Sequence, residues 1–303
     1  MRGVVATADG IVVCAGVSQA LNLLGTLRTR LGLGPLGIED PSHPGPRALL
    51  AAGVDEGRPV PVDRDGVDVD RLEGLELRSL LLTPAHQFPL GVVLAPARRL
   101  RIAAWARRAD ALVVEDDYDA EFRYDREPVG ALQGLDPDRV VYAGSVSKTL
   151  APAVRLGWLV VPRHLVGQVA ELKWASDLGS PVLDQLALAD LLETGAYERH
   201  VRRMRAVYRR RRDTLAAAIR RHLPTCALSG IAAGMHAVLA LPAGADETQL
   251  ARKAARRGVT VHPLSGYRVA APQPPGLVMG YGALGERAIE AGVERLAAAV
   301  RAT

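Results

Sequence analysis

The sequence predicts an α/β fold with a mostly parallel central sheet and a smaller C-terminal α+β domain, on three patterns. Short runs of Val, Ile and Leu alternate with longer segments whose apolar residues recur every three or four positions, as strands separated by helices do. Several strand runs are apolar almost throughout, as a sheet covered on both faces requires. Near Pro181 the character changes: two long helical segments follow, then a second, shorter set of strands.

In chain order, the first strand is expected at Gly10–Ala15 and a helix at Ser18–Arg30. The segment Ile38-Glu-Asp-Pro-Ser-His-Pro-Gly45 closes a further parallel strand on its functional rim. Strands follow at Ser79–Thr83, Ala111–Val114, Val140–Gly144 and Gly157–Val161, with a helix over Pro96–Arg108. Gln185–Glu193 and Tyr197–His222 read as long helices. The last part has strands near Met235–Leu241, Thr260–Pro263 and Leu277–Tyr281, and helices near Thr248–Arg257 and Glu286–Arg301. Pro-Ala-Gly-Ala at 242–245 and Pro-Gln-Pro-Pro at 272–275 punctuate it as loops. The expected organisation is a large unit over 1–195, an interdomain helix over 196–222 and a small unit over 223–303.

Composition narrows the class. Nearly half the residues are apolar (49%), enough for a substantial core, and mixed charge argues against disorder. Thirty-eight Lys and Arg against 33 acidic residues leave a mild excess of +5, which phosphorylated ligands or plain solubility explain as well as a polyanion does. Cys14 and Cys226 lie too far apart in sequence to suggest a disulfide framework or zinc site, so reduced thiols and a cytoplasmic location are expected. No secretory signal is expected. No apolar run reaches the roughly 20 residues of a membrane span.

Five segments carry chemistry. In Gly144-Ser-Val-Ser-Lys-Thr-Leu-Ala-Pro-Ala-Val-Arg155, Lys148 follows a strand among small residues. A Schiff-base lysine needs a lowered pKa and room to swing. Ser145 and Ser147 offer hydroxyls to a phosphate, and Arg155 a bidentate clamp. Taken alone, a surface lysine in a loop explains the same letters. In Val113-Val-Glu-Asp-Asp-Tyr-Asp-Ala-Glu-Phe-Arg-Tyr124 the acids lie at a strand's carboxyl end, where ligands of doubly wound sheets bind. Pyridoxal phosphate (PLP) needs a carboxylate against its ring nitrogen, a task for Asp116, and a partner for its ring hydroxyl, a task for Tyr118. A divalent-cation cluster or a solvated acidic turn would use the same residues. Gly16, Val17 and Ser18 open a helix whose amides could cradle an anion. The fourth segment is Leu82-Thr-Pro-Ala-His-Gln-Phe-Pro-Leu-Gly91, where His86 is the histidine expected nearest a cofactor. The fifth is the Ile38–Gly45 run.

In order and spacing, Thr83-Pro-Ala-His-Gln-Phe-Pro-Leu-Gly91, the acidic segment and the lysine segment resemble the aminotransferase-like domain of MocR-type proteins, within the class I/II (fold type I) PLP enzymes. Gly234-Met-His236, Gly258-Val-Thr-Val-His-Pro-Leu-Ser265 and Gly280-Tyr-Gly-Ala-Leu284 extend the resemblance over nearly the whole chain. It implies a fold type I PLP-dependent aminotransferase architecture and a homodimer. Lys148 would be the Schiff-base lysine, Asp116 the ring-nitrogen partner and Tyr118 the O3′ partner. Ser145, Ser147, Arg155 and the backbone around Val17 and Ser18 would hold the phosphate. His43 stands where the family has a tyrosine stacked on the ring. Val278 stands where such aminotransferases carry the arginine that holds a substrate carboxylate. The spacing from lysine to arginine is one shorter than in typical class I aminotransferases. The winged helix-turn-helix of MocR-type regulators is not in this sequence, and the arm and first helix that open the domain are expected to be absent too.

Two functions stay open: a PLP-dependent aminotransferase acting on an amine or amino acid, and the effector-binding and dimerisation domain of a MocR regulator that binds without turnover. The arginine run Arg202–Asp213 is expected to be the solvated face of a long helix, with no DNA-binding module and no metal.

Overall fold

The structure is a computed structural model that describes residues 2–51, 57–119, 121–124, 129–230, 232–270 and 274–301. In chain order the large part contains β1 (Ile11–Cys14), α1 (Gly16–Arg30), β2 (Leu36–Asp40), α2 (Pro44–Ala51), β3 (Arg58–Asp63), β4 (Gly66–Val67), α3 (Val69–Glu73), β5 (Ser79–Leu82), α4 (Pro96–Arg108), β6 (Leu112–Asp117), β7 (Val140–Ser145), β8 (Gly157–Val160) and α5 (Val166–Asp177). Then come α6 (Val182–Glu193), α7 (Ala196–His222), β9 (Leu228–Ser229), β10 (His236–Ala240), α8 (Glu247–Ala255), β11 (His262–Pro263), β12 (Gly276–Gly280) and α9 (Glu286–Arg301). Of the loop expected at 272–275, residues 272 and 273 lie outside the described residues.

The large sheet has the order β1-β8-β7-β6-β5-β2-β3-β4. Strands β7, β6, β5, β2 and β3 run parallel, so the mostly parallel sheet stands. Their apolar runs are explained by cover on both sides. Leu21, Leu24 and Leu27 of α1 and Val169 of α5 pack with Val141 and Leu159 on one face. Ile102 and Trp105 of α4 pack with Leu80, Val113 and Val140 on the other. Strand β8 pairs antiparallel with both β7 and β1. The connection from Val146 to Leu156 holds only a short 3-10 turn, and a parallel return needs a helical crossover of a dozen or more residues.

Sequence patterning passes over several elements. Strand β3 reads Arg-Pro-Val-Pro-Val-Asp, and its two prolines obscure it, since proline in a strand run argues against an interior strand. It is tolerated here because β3 lies next to the two-residue edge strand β4. Helix α5 was passed over as well; it buries only Val169, Leu172 and Lys173.

The small sheet, β11-β12-β10-β9, is antiparallel throughout its pairings. Its outer face packs Leu239 and Leu277 against Ile289, Val293 and Leu296 of α9 and the end of α7. Its inner face presents Val238 and Val278, which join Leu264 and meet Phe88, Leu90 and Tyr267. Along α7, Val201, Tyr208, Arg212, Leu215 and Ile219 form a buried stripe at helical spacing. Arg212 is thus an inward member of the arginine run, its guanidinium 5.3 Å from the centroid of Tyr124. No described helix is long and apolar enough to cross a membrane.

Gly144 lies opposite Trp158 in the β7–β8 pair, and a Cβ there would stand 2.6 Å from the indole. Gly144→Ala is expected to cost about 1–3 kcal/mol by overpacking, whereas Gly292→Ala on α9, with nothing within 4 Å of its added Cβ, gains up to about 1 kcal/mol. Denaturant midpoints at unchanged m values check both.

Candidate active site

The carboxyl ends of β2, β5, β6 and β7 meet on one rim, and a cavity of about 540 Å³ opens over them. Side-chain alternation decides which acid of Glu115-Asp116-Asp117 faces it. Glu115 turns away and accepts the N–H groups of Leu132 at 3.0 Å and Gln133 at 2.9 Å. Asp117 turns the same way and accepts Arg2 Nε and Tyr142 OH, both at 2.7 Å. Asp116 alone of the three lies on the cavity wall, and its Oδ1 is buried with no hydrogen-bond partner. Burial, then the charges of Asp117, Asp119 and Glu39, push its carboxyl up to about 7, while Lys148 pulls it down.

Glu39, at the end of β2, also lines the cavity. It accepts Thr83 N at 2.9 Å and Thr83 Oγ1 at 2.7 Å, and burial raises it to about 7. Tyr118 follows directly after β6, two strands across from β2, and donates to the His86 carbonyl at 3.0 Å. Burial and the charge of Asp119 hold its hydroxyl well above the usual phenol range, so the proton stays. His86 is not on the wall: it lies behind Tyr118, with Nδ1 2.9 Å from Asp119 Oδ2. His236 of β10 donates Nε2–H to Pro89 O at 3.1 Å, and burial pushes it down to about 3, so it is neutral. Atoms of His86, Asp119 and His236 lie within 4.8 Å of one another, a spacing that could hold a cation, although His86 and Asp119 already pair with each other and His236 with Pro89 O.

At the other side of the wall stand Val17, Ser18, Ser145, Ser147, Lys148 and Arg155. Helix α1 begins at Gly16 with no side-chain cap, so first-turn amides are available to an anion. Gly16 has φ +77, and an added Cβ would stand 3.3 Å from Arg155 Cζ, so the glycine lets the guanidinium approach. Arg155 donates to Ala15 O at 3.2 Å. Ser145 Oγ accepts Ser147 N–H at 3.0 Å, which fixes the turn that carries Lys148. Lys148 itself is exposed to the cavity mouth.

His43 is on the wall, its ring 5.4 Å from that of Phe88 and 6.2 Å from that of Tyr267. Its Nδ1 accepts Gly45 N–H at 3.0 Å, and burial, Lys148 and Arg47 lower its pKa. Of the expected site residues, the cavity therefore gathers all but Gly16, which lies beneath Arg155, and His86. Glu39, Thr83, Phe88, Asp119 and Met235 also line it and were not singled out. All lie within segments quoted above, Met235 in Gly234-Met-His236; strand alternation is the signal that separates Glu39 from Asp40.

The family model for aminotransferase class I and II matches residues 3–284. YhdI of Bacillus subtilis, an uncharacterized HTH-type transcriptional regulator, is 35% identical over 97% of this chain and 63% of its own length. The probable rhizopine catabolism regulatory protein MocR of Rhizobium meliloti is 34% identical over 98% of this chain and 61% of its own length. The chain thus spans about three-fifths of these relatives. The crystal structure of Pyrococcus horikoshii kynurenine aminotransferase in complex with PMP matches with a TM-score of 0.89 at 27% identity, covering 98% of this chain and 76% of that one.

A carboxyl held at about 7 in the folded chain and at 3.8 when unfolded stabilises the fold while protonated. That contribution is complete below the unfolded value and lost as pH rises through the folded one. Asp116→Asn is therefore expected to stabilise the cofactor-free protein at pH 8 by on the order of 1–3 kcal/mol and to change little at pH 4. Urea titrations at the two pH values check it.

Proposed function

The chain belongs to the aminotransferase class I and II family, and on that premise we propose that it is a PLP-binding, aminotransferase-like protein that acts on an amine or amino acid through Lys148. The observation that carries this reading is the buried, unpartnered Oδ1 of Asp116, which shares one cavity with the amine of Lys148 and the guanidinium of Arg155. A buried acceptor without a donor is costly, and a protonated ring nitrogen supplies the donor.

When bound, PLP supplies an aldehyde that condenses with amines and an electron-poor ring that stabilises negative charge at the neighbouring carbon. Lys148 would hold the group through Nζ, and its free amine would serve as the general base that moves a proton. Asp116 keeps the ring nitrogen protonated. Tyr118, which retains its own proton, is the partner for the ring hydroxyl. Arg155, Ser145, Ser147 and the first-turn amides at Gly16, Val17 and Ser18 hold the phosphate. His43 flanks the ring. His86 acts behind Tyr118, positioned by Asp119.

The reading includes a homodimer in the cytoplasm. Helix α6 buries no residue, and Leu183 on it is 80% exposed beside Val182 and Leu186, an apolar surface that a second copy would cover. It also takes 1–195 as the cofactor-binding unit, 196–222 as the interdomain helix and 223–303 as the small unit.

A second reading, an effector-binding and dimerisation domain without turnover, is favoured by Val278. Where the resemblance places a carboxylate-binding arginine, Val278 is buried with Val238 and Leu264.

Incubation with PLP, reduction with borohydride and peptide mapping by mass spectrometry are expected to put the cofactor mass on Lys148. Absence of that mass from the wild-type peptide, or its persistence elsewhere in Lys148→Ala, would refute the assignment. Arg155→Ala is expected to weaken cofactor binding about 10- to 100-fold in equilibrium dialysis. Single-turnover assays then separate the readings: an oxo product marks the enzyme, and binding without product marks the sensor.

A further inference from the structure

Resting on the reading above, we propose that the amine taken by this site has an apolar, aromatic-sized body and no carboxylate. Among the described residues of the wall the cations are Lys148 and Arg155, and that reading engages both with the cofactor. The other charged groups on the wall are acids: Glu39, Asp116 and Asp119. A ligand carboxylate entering there would lose water, meet other carboxyl groups and find no free cation among the described residues of the wall.

The histidines do not supply one. His43 presents its Nδ1 as an acceptor to Gly45 N–H, and His236 commits its Nε2–H to Pro89 O. Val278 is 4% exposed inside an apolar cluster, so the small sheet offers no guanidinium at that position. Arg47, one turn along α2 from His43, does not line the cavity, although its Nη1 is buried without a hydrogen-bond partner.

What the wall does offer is an aromatic corner built on Phe88, with Tyr267 packed behind the wall and His43, which flanks the cofactor, at its side. Phe88 stands 5.4 Å from His43 and 5.3 Å from Tyr267 between ring centroids, the latter edge-on. Leu49, Pro46 and Met235 extend the apolar lining. A further ring fits such a corner in the offset or edge-to-face manner that aromatic groups prefer.

The test uses the full chain loaded with PLP, with cofactor content measured by native mass spectrometry on the same sample. Calorimetric titration compares 2-phenylethylamine, L-phenylalaninamide and L-phenylalanine near neutral pH. The two probes without a carboxylate are expected to bind at least about 10-fold more tightly than the amino acid. Phe88→Ala is expected to remove the advantage of 2-phenylethylamine over butylamine. L-Phenylalanine binding as tightly as its amide, with cofactor present, overturns this inference and leaves the PLP reading standing. If Arg47→Gln then abolishes that binding, Arg47 is the carboxylate receptor and the inference is equally overturned. A chain that takes up no cofactor overturns both.

Discussion

A carboxyl group in a dry place with one oxygen unanswered is the constraint around which this molecule is arranged. Asp116 sits at the end of β6 because a parallel strand, covered on both faces, delivers its last residues to a rim where the covering helices stop. The neighbouring acids are tied down by Arg2, Tyr142 and the amides of residues 132 and 133, which leaves one acid of the three for the cavity. Without the crossover helices the strand would not be apolar, and without the apolar strand the carboxyl would be wet and ordinary.

The same economy of position governs the cavity's charge. Its cations cluster near the start of α1 and the turn after β7, and its acids lie on the rim strands β2 and β6 and the turn beyond. The third quarter of the wall, around Phe88 and His43, has rings instead of charge. On the proposed reading, chemistry and recognition fall to different elements of the wall.

Much of this was legible in the sequence because the motifs are contiguous. Ser145, Ser147, Lys148 and Arg155 sit within eleven consecutive residues between the end of β7 and the start of β8, and the α/β alternation is written in runs of Val and Leu. What was hidden depends on pairing and packing across the chain. The two prolines of β3 mask a strand that only its neighbours reveal. The antiparallel course of β8 follows from a connection length, not from its own residues. His86 looked like a rim residue by its position in a loop, yet Asp119 holds its ring behind Tyr118. Glu39 and Asp40 are adjacent letters, and only the pleat says that the first lines the cavity while the second accepts the amides of Val269 and Ala270.

Phe88 belongs to two neighbourhoods at once. Its ring faces the cavity, and it also lies against the inner face of the small sheet with Val238 and Val278. Close-packed apolar contacts leave little slack, so the side chain that shapes the hollow is also one that seals the join to the small sheet, and a smaller residue there would open both at once.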